Sequence, residues 1–512
     1  MKKTTIRRER KIHLVLPGHL RSELQNFLAS RSNDGREALA FLLCGRHARP
    51  RLLRLLARHL VFPEDDCFDQ RTGGAIRCGS TLDDFVLRLA DTEGLTIVTI
   101  HTHLHDGQPE FSVVDDRAEC VRAEAIEGAF GNRVSMASIV YDRTGCHLRA
   151  RFWRRDSASI DPVPVKIVSS LADVLGDMEV KPDQRFDRQV RAFGSVFQTQ
   201  LHNMRIGMVG LGGLGAMIVE GLTRLGVRRW VLVDPDRVAV SNLNRLTGAT
   251  RWDAIDAIHK VDVARRNIRA MHAGAAEIRA VTEGLPSRKT TRLLAGCDVI
   301  VGATDNHRSR LLLQEIGSAY LRPLVNAGVG LTAISGKVRG IGVRVTAPPI
   351  GGPWCLICGG IVDPFEASKE QCDEQHRRML QERGYLSDTP QPAVYWVNGV
   401  AANLAVRLIH SLVMPFSDQM ESTDLYADLY QPEFLQIDHD TSRSDCLACG
   451  PDGGGLRGIG DVYLDRHTVP LEELELRTLR QREVSGDECA RIEQPAAIEN
   501  AEGDVNTSSQ TR

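Results

Sequence analysis

The 512-residue sequence lacks three features that would place it in common classes of protein. It has no apolar run approaching the roughly 18 residues that a membrane-spanning helix needs. Its basic start, MKKTTIRRERK, is not followed by the apolar region of a signal peptide. Its net charge is only −2, so composition gives no reason to expect nucleic acid or a membrane surface as a partner. We therefore predict a cytoplasmic protein that acts on neither.

The twelve cysteines are not expected to form a disulfide framework, because such frameworks belong to oxidising compartments. Four of them form two C-x-x-C pairs, CLIC and CLAC, which are typical of the knuckles that hold a structural zinc ion. The two pairs are too far apart in sequence for a compact zinc ribbon. The expected zinc ligands are Cys355, Cys358, Cys446 and Cys449.

The order of strand and helix patterns predicts two α/β domains. Residues 10–158 read as a mixed α/β unit, and residues 185–465 show the alternating strands and helices of a mostly parallel sheet. Residues 159–184 carry Pro, Ser and Asp and are predicted to be a linker. The polar and charged residues 466–512 are predicted to be a disordered tail.

The stretch HTHLHDGQPEFSVVDD follows the apolar strand pattern LTIVTI and predicts a metal site. His101 and His103 are two residues apart, so on an extended strand both imidazoles point to the same side. Asp115, reached through a loop with Gly and Pro, can complete the three ligands of a hydrolytic zinc site, which leaves a position open for water. A bound zinc ion would lower the pKa of that water to about 7.

Two further residues could supply the rest of a hydrolytic reaction. Ser112 could support the bound water or its oxyanion with a hydrogen bond, and Glu37, at the start of the strand pattern EALAFLLCG, could carry the proton to a leaving amine. Asp116 is an alternative ligand to Asp115, but the S-x-x-D spacing favours Asp115. His105 is another alternative ligand, which we interpret as a solvated loop histidine.

This arrangement resembles the JAMM/MPN+ (JAB) metalloprotease family. The resemblance implies that Glu37 is the acid/base, that His101, His103 and Asp115 bind zinc, and that Ser112 is the supporting hydroxyl. It also implies cleavage of peptide or isopeptide bonds after the C-terminal Gly of ubiquitin-like proteins.

Two departures from the JAMM pattern keep a second interpretation open. The family usually has Pro after the second His, where this sequence has Leu104, and the loop to Ser112 is slightly longer here. A metal-free scaffold that only docks the carrier protein is therefore the alternative for this half.

The sequence GLGGLG lies between the strand pattern RIGMV and a helix, and it predicts a phosphate-binding turn. The glycines concerned are Gly210, Gly212, Gly213 and Gly215. Asp234 ends the next strand, where a carboxylate can bind ribose hydroxyls. Read alone, these features favour a nicotinamide dehydrogenase.

The residues beyond Asp234 favour adenylation instead. Arg245 and Lys260 can neutralise a triphosphate, and Asp305 can hold the Mg²⁺ that bridges phosphate oxygens. Hydride transfer needs neither the cations nor the extra carboxylate, so the dehydrogenase is the weaker hypothesis.

These motifs resemble the ThiF/MoeB-like form of the ubiquitin-activating superfamily. RFDRQ, GLGGLG, LVDPD with SNLNR, and ATDN occur in the order of that family. The resemblance assigns Gly213, Asn242, Arg245 and Lys260 to phosphates, Asp234 to ribose, and Asp305 to magnesium. It also implies that the paired zinc knuckles staple the ends of the C-terminal lobe.

Two further residues take roles from the same resemblance. Arg188, in RFDRQ, would enter the nucleotide site of a second subunit, which implies a homodimer. Cys372 falls near the crossover segment of the family and is a candidate thioester nucleophile. Acidic neighbours should raise the pKa of its thiol, so a surface cysteine without a role is an equal alternative.

We therefore expect a bacterial-type fusion of a JAB/MPN-type domain and a Rossmann-like ThiF/MoeB-type adenylyltransferase. It would use ATP, Mg²⁺, one catalytic and one structural Zn²⁺, adenylate the C-terminal Gly of a ubiquitin-like or sulfur-carrier protein, and cleave bonds after that Gly. A conjugating enzyme is a further expected partner. The alternative is a sulfur-carrier activating enzyme of cofactor or cysteine biosynthesis whose JAMM half is a docking scaffold.

Overall fold

The computed structural model describes residues 10–467 except 157–158, 177–182, 273, 371–378, 380–391, 416–422, 432, 440–442 and 451–454. Two eight-stranded sheets organise these residues. None of the described helices combines the length and apolar character that crossing a bilayer requires.

The first sheet is mixed. Its strands are β1 (Lys11–Val15), β2 (Leu39–Arg49), β3 (Leu52–Val61), β6 (Thr96–Thr102), β7 (Ser135–Tyr141), β8 (Leu148–Asp156), β9 (Ser159–Pro164) and β10 (Lys166–Val168), and a separate hairpin pairs β4 (Phe68–Arg71) with β5 (Ile76–Cys78). The strand order is β10-β1-β3-β2-β6-β7-β8-β9. The central strand β2 begins with seven consecutive buried residues. Such an uninterrupted apolar run is typical of a strand that is covered on both faces.

Helices cover both faces of this sheet. They are α1 (Gly18–Ser32), α2 (Ser80–Glu93) and α3 (Val113–Phe130). Leucines of α1 pack with Leu42 and Val98 on one face, whereas α2 packs with Leu43 and Ile97 on the other. Alternate residues of β2 and β6 therefore face different helices, as the period of a strand requires.

The segment predicted to be a linker forms regular secondary structure instead. Within residues 159–184, β9 pairs with β8 and β10 pairs with β1, and a short helix α4 (Leu171–Leu175) follows. Pro162 and Pro164 suggested a break in structure. They are tolerated because β9 is an edge strand, where a missing backbone N–H need not break a ladder.

The second sheet is parallel over its first five strands and antiparallel over the rest. Its order is β13-β12-β11-β14-β15-β16-β17-β18. The strands are β11 (Arg205–Val209), β12 (Arg229–Val233), β13 (Glu277–Val281), β14 (Val299–Gly302), β15 (Leu324–Ile334), β16 (Lys337–Ala347), β17 (Thr423–Asp428) and β18 (Glu433–Gln436). This agrees with the mostly parallel sheet predicted for the second domain.

Helices again cover both faces. They are α5 (Asp187–Phe193), α6 (Ser195–Asn203), α7 (Gly213–Leu225), α8 (Arg251–Ile255), α9 (Lys260–His272), α10 (Arg288–Leu294), α11 (His307–Tyr320), α12 (Pro364–Lys369), α13 (Tyr395–Val413) and α14 (Val462–His467). Apolar residues of α7, α9 and α13 share one core. Those of α10 and α11 pack on the opposite face, in a core that continues into the first sheet.

The end of the described chain joins the two halves. Arg58 Nη1 donates to the carbonyls of Gly455 (2.6 Å) and Arg457 (2.9 Å), and the backbone N–H of Ala48 donates to Asp461 Oδ2 at 2.9 Å. Residues 466–467, the first two of the predicted tail, end α14, and the rest of that tail lies outside the described residues.

We predict that Gly45→Ala will destabilise the protein. A Cβ added to Gly45 would lie 1.9 Å from the carbonyl oxygen of Gly458, so the chain around Gly458 must move away from β2. The free energy of unfolding should fall by about 2 kcal/mol, the cost of overpacking a close contact. Urea or thermal denaturation measures this change.

Gly74→Ala is the matched control, because a Cβ there meets nothing within 4 Å. Equal stabilities of the two variants would contradict the packing of the segment on β2.

Candidate functional sites

Two imidazoles and a carboxylate converge at the end of β6. His101 Nε2 and His103 Nε2 are 3.3 Å apart, and the two oxygens of Asp115 lie 3.4 Å from His101 Nε2 and 3.3 Å from His103 Nε2. Donor atoms about 2.1 Å from a tetrahedral zinc ion are separated by roughly 3.4 Å. The three side chains therefore fit one zinc ion with a position left open.

Ser112 fixes the carboxylate through a capping box at the start of α3. Its backbone N–H donates to Asp115 Oδ2 at 2.6 Å, and its hydroxyl oxygen accepts from the backbone N–H of Asp115 at 3.1 Å. The hydroxyl hydrogen is not used in this contact. The role of Ser112 in supporting water or an oxyanion stays a prediction.

Glu37 lies beside the triad because of the register between β2 and β6. Leu39 is opposite His101 in this antiparallel pair, so Glu37, two residues earlier, shares the same face. The carboxyl group is buried, which raises its pKa, and the charges of His101 and His103 oppose that rise. This is the environment expected of a general acid/base.

Asp115 has the opposite electrostatic character. Burial would raise the pKa of its carboxyl, but hydrogen bonds from His101 and His103 hold the pKa well below its ordinary range. The same contact with Asp115 raises the pKa of His103. Asp115 is therefore a stable carboxylate, as a metal ligand must be.

The alternative ligands are placed differently. Asp116 pairs with Arg151 instead of the imidazoles. His105 is exposed, and its ring centroid lies 5.7 Å from that of His103. Leu104, where the resembled family has Pro, packs its Cδ1 3.2 Å from where a Cβ of Gly73 would lie. Within the described residues, only the His101–His103–Asp115 group and the four cysteines have the proximity of a metal site.

The two C-x-x-C pairs meet as predicted. Sγ–Sγ separations are 3.8 Å for Cys355–Cys358, 3.7 Å for Cys355–Cys446 and 3.5 Å for Cys358–Cys449. A tetrahedral zinc–thiolate site has sulfur atoms about 3.8 Å apart. These four residues fit a structural zinc ion that joins the chain after β16 to the chain before α14.

The glycine turn at the carboxyl end of β11 is held by close backbone contacts. Gly210 has φ +86°, and a Cβ there would lie 2.6 Å from the carbonyl oxygen of Ala303. A Cβ on Gly215 would lie 1.9 Å from the carbonyl oxygen of Gly210. Gly212 is the N-terminal cap of α7, so the backbone turns directly into that helix. The N-terminus of a helix that follows such a glycine turn offers free backbone N–H groups, which suit a phosphate group.

Asp234 is bound to this turn. Its Oδ2 accepts from the backbone N–H of Leu211 at 2.6 Å, and its Oδ1 accepts from that of Asp236 at 2.8 Å. Burial raises the pKa of its carboxyl, and the nearby charge of Lys260 lowers it. Each oxygen keeps a lone pair for a further donor.

The predicted cations lie close to the turn. A Cβ on Gly213 would lie 3.0 Å from Arg245 Cγ, so this arginine covers the first residue of α7. Lys260 begins α9 and donates to Asp236 Oδ2 at 2.7 Å. Asn242 Oδ1 accepts from the backbone N–H of Ala239 at 3.0 Å, which fixes the orientation of the side-chain amide. The N–H₂ group of that amide is the donor that a phosphate could use.

Asp305 lies at the same edge of the sheet. It is exposed in the loop after β14, next to β11, and Ala303 of that loop contacts Gly210. Parallel neighbouring strands end at a common edge, which is where ligands bind in such sheets.

Sequence reasoning missed two residues of this region. Arg310 donates from Nε (3.1 Å) and Nη2 (2.9 Å) to the carbonyl of Thr304, beside Asp305. Asn398 is buried in α13, and its Nδ2 lies 2.5 Å from where a Cβ of Gly213 would be. An amide within the apolar segment AVYWVNGVAANLAV was the available signal.

Two predicted residues are not brought to these sites by the described structure. Arg188 is exposed on α5, and its insertion into a second subunit stays a prediction. Cys372 lies outside the described residues.

The family model described as "ThiF family" matches residues 186–448, just over half of the chain. The chain belongs to the ThiF family. The match begins at residue 186, so the family of the first sheet and its metal site stays a prediction.

Relatives of this ThiF-family chain are named as an activating enzyme and as an adenylyltransferase. It is 31% identical to the SAMP-activating enzyme E1 of Haloferax volcanii, over 54% of this chain and 90% of that protein. It is 27% identical to the sulfur carrier protein ThiS adenylyltransferase of Bacillus subtilis, over 35% of this chain and 55% of that protein. The chain spans about half the length of several such relatives.

Among solved structures, E. coli MccB matches 53% of this chain and 73% of its own, with 16% identity and a TM-score of 0.42.

We predict that the ThiF-family chain holds about two zinc ions and that Asp115→Asn removes one of them. The amide is a poor zinc ligand, whereas the four cysteines are unaffected. Elemental analysis of the purified, dialysed protein measures the ratio.

Asp116→Asn is the matched control and should keep both ions, because Asp116 pairs with Arg151. Loss of the same amount of zinc from both variants would contradict the assignment of Asp115.

Proposed function

We propose that the chain activates a ubiquitin-like or sulfur-carrier protein by adenylating its C-terminal glycine. The observation that carries this proposal is the convergence of the glycine turn, Arg245, Lys260 and Asp305 at one edge of the parallel sheet. The names of the Haloferax and Bacillus relatives support the same chemistry.

The reaction follows from the charges at this edge. The carboxylate of the carrier attacks the α-phosphate of ATP and forms the acyl–phosphate bond of an acyl adenylate. The bond between the α-phosphorus and the oxygen that bridges to the β-phosphate breaks, and pyrophosphate leaves. Arg245 and Lys260 offset the negative charge that accumulates on the phosphates. Asp305 would help to hold a magnesium ion, which would further neutralise the triphosphate.

Asp234 and the glycine turn would position the nucleotide. Asp234, already held by the N–H of Leu211, offers its remaining lone pairs to ribose hydroxyls. The N–H groups at the start of α7 face the phosphates. Entry of Arg188 from a second copy, and a thioester on Cys372, extend this proposal but are not needed for adenylation.

A second activity is favoured by the His101–His103–Asp115 geometry. We propose that the N-terminal half, as a JAMM-type domain, cleaves peptide or isopeptide bonds after the carrier's terminal glycine. A zinc ion held by these three residues would supply Lewis-acid chemistry. Glu37 lies buried on the same face and is placed to carry a proton from water to the leaving amine.

The relatives favour adenylation more than proteolysis, because the family match covers the second sheet and not the first. They therefore fit the alternative, sulfur-carrier activation with the N-terminal half as a docking scaffold, better than the two-activity version. The two versions share the adenylation step and differ in whether Glu37 has a catalytic role.

We predict that Asp305→Asn will abolish carrier-dependent exchange of pyrophosphate into ATP. Loss of a fixed carboxylate that would hold magnesium should slow the exchange by roughly 100-fold or more. Radiolabelled pyrophosphate exchange with a candidate carrier ending in Gly measures the rate. Asp69→Asn, an exposed aspartate of β4, should keep the wild-type rate. Unchanged exchange in Asp305→Asn would refute the role of Asp305.

We predict that Glu37→Gln will abolish cleavage of a carrier extended beyond its terminal Gly. The amide cannot accept the proton, so the rate should fall by roughly 100-fold to 10,000-fold while pyrophosphate exchange persists. Gel-based cleavage assays measure the rate.

Glu110→Gln, in the loop between β6 and α3 and paired at the surface with Arg149, is the control. If the wild-type protein binds the carrier but never cleaves it, the docking-scaffold alternative replaces the protease.

A further inference from the structure

The two sheets meet at a cluster of buried arginines that neither proposed activity uses. Arg54 of β3 is 6% exposed, and Arg322, just before β15, is 4% exposed. Asp298 directly precedes β14, and its charge acts on both arginines. These positions are at the amino ends of β14 and β15, whereas the glycine turn is at the carboxyl end of β11. The cluster is therefore at the opposite edge from the proposed nucleotide site.

The positive charge of this cluster exceeds its acidic partners. Asp298 Oδ1 lies 3.8 Å from Arg54 Nη2, at the limit of an ion pair, and its Oδ2 already accepts from the backbone N–H of Arg205 at 2.9 Å. Arg49, close by, donates to His47 Nε2 at 3.2 Å. One carboxylate is thus placed against two buried guanidinium groups, with a third nearby.

Three donors of the cluster are buried and have no hydrogen-bond partner among the described residues. They are Arg54 Nη1, Arg322 Nε and Arg322 Nη2. Burial lowers the pKa of Arg322, and the charge of Arg54 lowers it further. Guanidinium stays protonated in proteins even so, and leaving a buried charge unpaired is costly.

The neighbouring histidines add no further positive charge to the cluster. His13 is paired in register with Arg54, and burial with the charge of Arg54 lowers its pKa to about 4. His47 donates from Nδ1 to Asp461 at 2.8 Å and accepts from Arg49 on Nε2, which is the pattern of a neutral ring. Burial also lowers the pKa of His47. Both rings are therefore neutral at pH 7, and the excess positive charge rests on the arginines.

We propose that Arg54 and Arg322 bind a small tetrahedral oxyanion of the phosphate or sulfate class between the two sheets. The Nε and Nη2 of one guanidinium form a side-on fork, which matches two oxygens of such an anion. Arg54 Nη1 supplies a third donor from the other sheet. Water could satisfy these donors but could not neutralise their charge.

The site would join the two halves of the chain. Arg54 belongs to the first sheet, and Arg322 directly precedes β15 of the second. A shared anion would therefore replace repulsion between two buried cations with two attractions. Its burial should exclude a nucleotide, which distinguishes it from the glycine turn. Inorganic phosphate is therefore the appropriate probe.

The test is equilibrium dialysis of the full-length protein with radiolabelled orthophosphate in chloride buffer. Saturating ATP is included to occupy the glycine turn, so that the phosphate bound is the phosphate at the buried arginines. We expect about one phosphate per chain, displaced by sulfate but not by AMP, and a thermal unfolding temperature that rises with phosphate at constant ionic strength. Absence of phosphate from the wild-type protein would overturn the proposal, as would competition by AMP.

Arg322→Met should weaken phosphate binding by roughly tenfold or more and remove the thermal response. Without phosphate it should be at least as stable as the wild type, because it removes an unpaired buried charge. Arg88→Met, at a side chain that is 82% exposed, controls for loss of an arginine and should bind like the wild type. Equal phosphate affinity in Arg322→Met would overturn the proposal.

Arg322→Lys keeps the charge and removes the fork, so it tests the same claim if the methionine variant does not fold. It should also bind phosphate more weakly than the wild type. Wild-type affinity in this variant would contradict bidentate recognition.

Discussion

The register between β2 and β6 is the constraint on which the metal site depends. Side chains alternate across a strand, so a slip of one residue would turn Glu37 away from His101 and His103. The mostly buried residues of β2 and β6 prevent that slip, because each face of these strands packs against a different set of helices. The core of the first sheet thereby determines which polar groups meet at its end.

The site then separates two carboxyl groups by environment. Asp115 accepts hydrogen bonds from two imidazoles and from the N–H of Ser112, and the pKa of its carboxyl falls. Glu37 is buried on the same face, where desolvation dominates and the pKa rises. Two carboxyl groups with pKa values moved in opposite directions are suited to different tasks, one as a constant ligand and the other as a proton carrier.

Local patterns predicted the parts of the fold that depend on local physics. The glycine turn, the strand before His101 and each C-x-x-C pair depend on a few neighbouring residues. The structure forms the turn after β11 and the strand β6, and it brings the two cysteine pairs close to each other. The linker prediction was wrong because proline, here Pro162 and Pro164, is as compatible with an edge strand as with a loop. Arg310 and Asn398 were missed because their importance comes from contacts with Thr304 and Gly213, which are distant in sequence.

The packing of the two halves against each other could not be predicted from sequence either, because it depends on residues that are distant along the chain. It depends on long-range contacts: Arg58 with the carbonyls of Gly455 and Arg457, and Ala48 with Asp461. The apolar core also passes from the first sheet to α10 and α11 without a break. A domain joined by a flexible linker would not need this shared core, and it would not bury both Arg54 and Arg322. Because the contacts that unite the halves also bury that charge, the stability of the union should depend on how the charge is neutralised.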